Sequence, residues 1–283
     1  MNAPASAWPL VALPGSQARR VQASANGTAY RVSLWLPPGE PPPGGFPVIC
    51  VLDANALFGT FVEGVRRSSR RPDATGIVPS AVIGIAPDDE ALYAEGARRR
   101  DFTWGPPANE AAPPADSVGG GAAFLSFLLD ELLPALQREL PLNPTRQTLF
   151  GHSLAGHFVL QALAERPEAF RTWAAISPSI WWDEAGLRAR LAATLPGRTD
   201  TRLFMAVGEY EGDVPPWQRN LPGYEQLVAR RGQRQMVRSA EALAVDLHAW
   251  LGDDRFTFRV FPEEDHASIL MIATQRVLRF SSN

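Results

Sequence analysis

The chain contains no lysine: all 27 of its basic residues are arginine. That absence excludes mechanisms built on a titratable amine, namely a pyridoxal Schiff base, a P-loop lysine or a serine–lysine pair. Cysteine is almost as scarce. A lone Cys50 forms no intrachain disulfide and no thiolate metal cluster, and inside the apolar run FPVICVLDAN it reads as a small buried hydrophobe. No apolar stretch approaches the roughly 20 residues of a membrane helix, so no membrane partner is expected. The opening MNAPASAWPLVALPGSQARR lacks a basic segment followed by an apolar one. No secretory leader is visible, and a cytoplasmic location is expected, or a periplasmic one if a leader has been removed. With a formal charge of only −3, a general nucleic-acid partner is not expected.

What is present is enough apolar residue, 45% of 283, to bury a sizeable core. RVQASANGTAYRVSLWLP reads as a β-hairpin turning at Asn26-Gly27, with Tyr30, Val32, Leu34 and Leu36 alternating along its second strand. The runs PVICVLD, SAVIGIAP, TLFGHS, TWAAISPS, RLFMAVGE and FTFRVFPEED are apolar without clean alternation, as strands covered on both faces of a parallel sheet are. Helical patterns separate several of them, at 118–138, 154–165, 237–251 and 267–279, the third stopping at Gly252. The fold class is therefore α/β: a mostly parallel open sheet with an antiparallel hairpin at its start and helices on both faces. Proline- and glycine-rich segments such as PPANEAAPPAD interrupt the units without halving the chain. One domain over 1–283 is expected, with 1–17 irregular.

The stretch TLFGHSLAGHFVLQAL places Ser153 between small residues where an apolar run meets a helical pattern. A nucleophile elbow needs small side chains two before and two after the serine, and Gly151 and Ala155 meet that demand. Gly156 would let the helix pack closely on the sheet. The competing reading is a serine that only caps the following helix.

A serine nucleophile needs a base, and the base needs an orienting acid. His152 and His157 flank the serine and read as packing residues; their spacing of five does not align two metal ligands on a helix. His248 lies mid-helix and reads as a partly buried packing residue. His266, in FPEEDHASIL between a strand and a helix late in the chain, is the candidate general base. Glu209, Glu211 and Asp213 of LFMAVGEYEGD all lie where the acid belongs; Glu211 is preferred. Oxyanion donors would be the backbone N–H groups of Leu154 and of Asn55 in the loop VLDANALFG, whose turn Asp53 organises.

These landmarks, with GGFPVICVLDANALFG, RRRDFTW, GGGAAFLSFLLDELLP, GHSLAGHFVL, SPSIWW, VGEYE and DHASIL, resemble the putative-esterase (esterase D-like) family of α/β-hydrolases over about 31–280. The likeness is greatest to bacterial esterases that open catecholate siderophore trilactones such as enterobactin. The chain departs from the family's pattern at Ala54 and Ala155, where glycine is usual, and at Trp104, where proline is. The resemblance implies Ser153 as nucleophile, Glu211 as acid, His266 as base and Asn55 and Leu154 as oxyanion donors. It further implies that Arg98 meets anionic substrate, that Trp181 or Trp182 lines the pocket, and that no metal or organic cofactor is used. Feruloyl or acetyl ester hydrolysis and acyl transfer are the family's other chemistries, and a non-catalytic protein binding an aromatic anion is the reading from another class. Arg66, Arg67, Arg70, Arg71 and the arginines from 230 to 238 read as solvated faces. Nothing in the sequence sets the oligomeric state.

Overall fold

The computed structural model describes residues 8, 11–25, 27–108, 114 and 117–283. Eight strands, β1 (Ser16–Gln22), β2 (Ala29–Trp35), β3 (Phe46–Leu52), β4 (Ala81–Pro87), β5 (Leu142–His152), β6 (Thr172–Ile176), β7 (Arg202–Gly208) and β8 (Phe256–Phe261), form one sheet. Their order is β1-β2-β4-β3-β5-β6-β7-β8. β2 pairs antiparallel with both β1 and β4, and every later pairing is parallel.

The pleat explains why the middle strands are continuously apolar. Cys50 and Leu52 of β3 point into one core and Ile49 and Val51 into another, so every residue of the strand is buried. Burial pushes the Cys50 thiol up to about 12, which keeps it protonated and inert.

Ten helices flank the sheet among the described residues: α1 (Ala54–Ser68), α2 (Pro72–Thr75), α3 (Glu95–Asp101), α4 (Gly121–Ser126), α5 (Leu133–Glu139), α6 (Leu154–Glu165), α7 (Glu184–Thr194), α8 (Tyr224–Arg234), α9 (Met236–Leu251) and α10 (Ile269–Ser282). Leu57, Phe61 and Val65 of α1 and Ala273 and Val277 of α10 close one face. Phe124 of α4, Phe158 of α6, Leu187 of α7 and Leu243 of α9 close the other. This is the α/β-hydrolase fold, with the expected N-terminal antiparallel hairpin.

Some local expectations need correction. Residues 16 and 17 belong to β1 rather than to an irregular segment; of the rest of 1–17, residues 1–7, 9 and 10 lie outside the described residues. The hairpin does not close in two residues. Ala23 donates to the Thr28 carbonyl at 2.8 Å and accepts from the Gly27 N–H at 2.9 Å, so four residues span the bend; Asn26 lies outside the described residues. Part of PPANEAAPPAD, at 109–113, 115 and 116, lies outside them too. VLDANALFG is not a loop, since α1 begins at Ala54 immediately after Asp53.

Candidate active site

Ser153 stands alone between β5 and α6 with φ 60° and ψ −118°, a conformation that costs about 1–3 kcal/mol and persists only when the surroundings impose it. They do so on three sides. The Ser153 N–H donates to the Ile176 carbonyl at 2.9 Å, and the Ser153 carbonyl accepts from the N–H groups of His157 and Ser179 at 2.9 and 3.0 Å. A Cβ on Gly151 would stand 2.2 Å from the Ala155 carbonyl oxygen, so only glycine fits there. A Cβ on Gly156 would stand 3.0 Å from the Ile176 carbonyl, which is where α6 presses against the end of β6. The serine hydroxyl lies 3.5 Å from the Ser179 hydroxyl.

The acid loop leaves β7 at Gly208 and turns once through residues 209–211. Glu211 is buried, yet its carboxylate is held by three polar groups. Oε1 accepts from the Ser177 hydroxyl at 2.5 Å and the Gly208 N–H at 2.7 Å, and Oε2 lies 2.6 Å from His266 Nδ1. A carboxylate on that nitrogen places the proton on Nδ1 and leaves Nε2 as the basic nitrogen. The other two acids are engaged elsewhere. Glu209 Oε2 accepts from the Glu263 N–H at 2.8 Å, and Asp213 Oδ1 from the Val214 N–H at 2.7 Å.

The histidine loop after β8 is tied to the acid loop. Tyr210 donates its N–H to the Glu264 carbonyl at 3.0 Å, and Asp265 Oδ1 accepts from the N–H groups of Ala267 and Ser268. The His152 ring packs against that of His266, centroids 4.5 Å apart. Burial first, and then the nearby charges of His266 and Arg98, hold the His152 pKa well below the ordinary range, so it packs as a neutral ring. His157 is buried in α6 beside Gln161, and burial lowers it to about 4. His248 is exposed rather than partly buried, with Nε2 2.7 Å from Asp253.

Leu154 opens α6 and Asn55 is the second residue of α1. The first four N–H groups of a helix have no intrahelical acceptor, and the helix dipole places partial positive charge there. The two helices start at the carboxyl ends of the adjacent parallel strands β3 and β5. The Asn55 side chain fixes the neighbouring loop by donating to the carbonyls of Asp89 and Ala91 at 2.9 and 3.0 Å. Asp53, in the left-handed region at φ 52°, is buried and accepts from Arg98 Nε at 2.9 Å. Burial raises the Asp53 pKa, with Arg98 opposing.

Two cavities meet at the serine. One, of about 300 Å³, is lined by Arg98, Arg99, Leu154, Trp181 and Trp182 among others; the second, of about 220 Å³, by Glu211, Arg230, Arg231 and His266. Ser153, Ser179, Trp181 and Arg234 line both. Trp182 is largely buried, its indole N–H donating to the Gly105 carbonyl. Trp181 is partly exposed, with the Arg234 guanidinium 4.2 Å from its ring. Arg66, Arg67, Arg70, Arg71, Arg230 and Arg238 are exposed as expected, while Arg231 and Arg234 are half-buried and, with Arg230, line the site. Neither that placement nor the Ser177 hydroxyl on Glu211 carries a local sequence signal. Among the described residues no group of three or more His, Cys, Asp or Glu could hold a metal, and no helix is long and apolar enough to cross a membrane.

Comparison with known proteins agrees with the fold. The family model described as "Putative esterase" matches residues 23–256. The chain is 32% identical to the ferri-bacillibactin esterase of Bacillus subtilis over 279 residues, which covers 95% of this chain and 90% of that protein. It is 31% identical to the siderophore triacetylfusarinine C esterase of Aspergillus fumigatus, covering 83% and 81%. Among solved structures, the BES protein of Bacillus cereus superposes with a TM-score of 0.83 at 28% identity, covering 98% and 99% of the two chains.

Proposed function

The chain belongs to the Putative esterase family and is a carboxylic-ester hydrolase; within that class we propose that it opens the ester backbone of catecholate siderophores through a serine acyl-enzyme. Ser153 attacks the ester carbonyl as His266 Nε2 takes its proton, and Glu211 steadies the imidazolium that results. The N–H groups of Leu154 and Asn55 receive the oxyanion. His266 returns the proton to the leaving alkoxide, and a water activated by the same ring then releases the acyl group. The reaction needs no other group, and the chain works as one domain over 1–283.

The observation that carries this reading is the buried Glu211 carboxylate. It is held by Ser177 and Gly208 on one oxygen and by His266 on the other, with that imidazole lining the same cavity as the strained Ser153. An ionised carboxylate taken out of water is costly unless fully hydrogen-bonded, so a site that both buries and satisfies it is built to hold a cation beside it. The siderophore assignment is supported by the relatives, two of them siderophore esterases by name at over 30% identity, and by tryptophan and arginine at the cavities, which suit an aromatic anion.

Labelling with a fluorophosphonate probe tests the catalytic reading: wild type is expected to label and Ser153→Ala not to. Incubation with ferric enterobactin, followed by mass spectrometry, tests the substrate. Linear trimer or smaller ester fragments are expected. Labelling without fragments would remove the siderophore and leave the esterase.

A further inference from the structure

The two helices that carry the proposed oxyanion donors are tied together by a side chain belonging to neither. β3 and β5 run parallel, and the last residues they pair are Val51 and Phe150. Two residues further along each chain stand Asp53 and His152, beyond the rungs that set the distance between these strands. Two residues further again are Asn55 and Leu154. A sharp turn lies on each side, at Asp53 with φ 52° and at Ser153 with φ 60°, so neither helix continues the direction of its strand.

Arg98, on α3, spans this gap. Its Nε donates to Asp53 Oδ1 at 2.9 Å and its Nη2 to the His152 carbonyl at 3.4 Å. One planar guanidinium can hold two acceptors at a fixed separation because its N–H groups form a rigid fork. The fork is itself held: the rings of Tyr93 and Phe102 lie 5.2 and 6.0 Å from its central carbon, and only 13% of the side chain is exposed. On the Ser153 side the backbone is also fixed by the Ile176 carbonyl and the Ser179 N–H. On the other side the Asp53 carboxylate makes no cap to α1, and its hydrogen bond is to Arg98. A left-handed residue other than glycine persists only where its surroundings impose the conformation, and the guanidinium is the group that restrains this side chain.

We propose that Arg98 is a positioning residue for the oxyanion hole: by bridging Asp53 and the His152 carbonyl it sets the separation of the Asn55 and Leu154 N–H groups, and so acts on every ester, charged or neutral. The proposal rests on the serine-hydrolase reading above. It departs from the role that the family resemblance implies for this residue, contact with anionic substrate, and the two roles give different results on a neutral ester.

The test uses 4-nitrophenyl acetate (neutral) and 4-nitrophenyl hydrogen glutarate (anionic). Arg98→Lys keeps a cation beside Asp53 but replaces the fork with a single ammonium, so the melting temperature is expected to change little. Its kcat is expected to fall about tenfold on both esters, with KM within about twofold. Arg98→Met combined with Asp53→Asn leaves no unpaired charge and keeps a residue tolerant of the left-handed turn; its kcat is expected to fall about 10²-fold on both. Affinity for phenylboronic acid, whose tetrahedral adduct with Ser153 puts an oxygen in the hole, is expected to fall in step, which lost stability alone would not cause in a folded variant. A loss confined to the glutarate ester and to KM would make Arg98 an anion contact instead. Unchanged kcat on the acetate in either variant, or unchanged boronate affinity beside a lowered kcat, also overturns the bridge. If wild type is labelled by fluorophosphonate but turns over neither ester, the labelling rate is read in place of kcat. A wild type that neither turns over these esters nor labels would sink the hydrolase reading itself.

Discussion

Gly208 is the point where the acid and histidine loops touch, and replacing it with alanine tests whether their apposition sets the rate. Its backbone, at φ −85° and ψ 142°, is extended and open to any residue, so Gly208→Ala adds only a methyl group. That methyl would stand 2.3 Å from the Glu264 carbonyl oxygen and 2.9 Å from its carbon, whereas ordinary contact begins at 3.4 Å. The loop carrying His266 must therefore retreat by about 1 Å from the turn carrying Glu211. Overpacking of this kind costs about 1–3 kcal/mol in stability. The kinetic effect is expected to be larger, because a misplacement of about 1 Å at a catalytic group lowers the rate roughly 10²-fold. The assay is kcat on 4-nitrophenyl acetate, alongside the rate of fluorophosphonate labelling and a thermal melt. A folded Gly208→Ala variant within about twofold of wild type would refute the claim that this contact positions the imidazole.

His157 is neutral in the folded chain down to about 4, while in the unfolded chain it protonates near 6.5. Its contribution to stability is complete above about pH 6.5 and is lost as pH falls towards 4, at about 1.4 kcal/mol per unit and roughly 3 in all; urea titrations of His157→Phe are expected to be flatter by that amount across this window. Asp53→Ala leaves the Arg98 guanidinium without its carboxylate at a site where that side chain is only 13% exposed. A loss of about 3–5 kcal/mol is expected, most of it recovered by adding Arg98→Met; a double variant no better than the single contradicts the pairing. Gly84→Ala would place a methyl 2.7 Å from the Ala54 Cβ and 2.9 Å from Phe58. Its cost of about 1–3 kcal/mol is expected to shrink when Ala54→Gly is added, and strict additivity by denaturation would show that the two positions do not share this space.

The sheet was legible because its inner strands are buried on both faces and so are apolar throughout, as β3 and β4 are. α6, α9 and α10 were legible through their apolar periodicity. α3 and α8 were not, since EGARRRD and YEQLVARRGQR are rich in arginine and present little apolar stripe to a core. The order Ser153, acid, His266 could be read from strand ends. Chain position gave only a preference among Glu209, Glu211 and Asp213, which the family resemblance shared, because the choice depends on which side chain a tight turn carries inward. The inward one is Glu211, and its second anchor, Ser177, lies just past the end of a different strand, β6. The arginines of α8 looked like a solvated face for the same reason: their neighbours, Trp181 and Ser153, are remote in the chain.

The departures from the family's pattern take on a different meaning once their neighbours are known. Ala54 stands where the family has glycine, and its methyl is accommodated because the facing residue on β4 is Gly84, where any Cβ would collide with it. Trp104 replaces proline, and its ring lies against Gly121 at the start of α4: a Cβ there would stand 2.6 Å from the indole. The indole N–H is also answered, by Glu165 on α6 at 2.7 Å. Each of these two departures is thus one half of a pair whose other half is a glycine on a different element. Motif comparison, which weighs positions singly, counts Ala54 and Trp104 as losses; packing makes them neutral, since the volume added at one position is absent at its partner. It follows that Gly84 and Gly121 are constrained by side chains rather than by backbone angle, neither having a positive φ. Gly121→Ala should be damaging beside Trp104 and less so once Trp104 is cut back to proline, since the Thr103 carbonyl oxygen would still stand 2.9 Å from the new methyl. The cost of the same substitution would thus depend on a residue on another element, and a melting curve of each variant reads the difference directly.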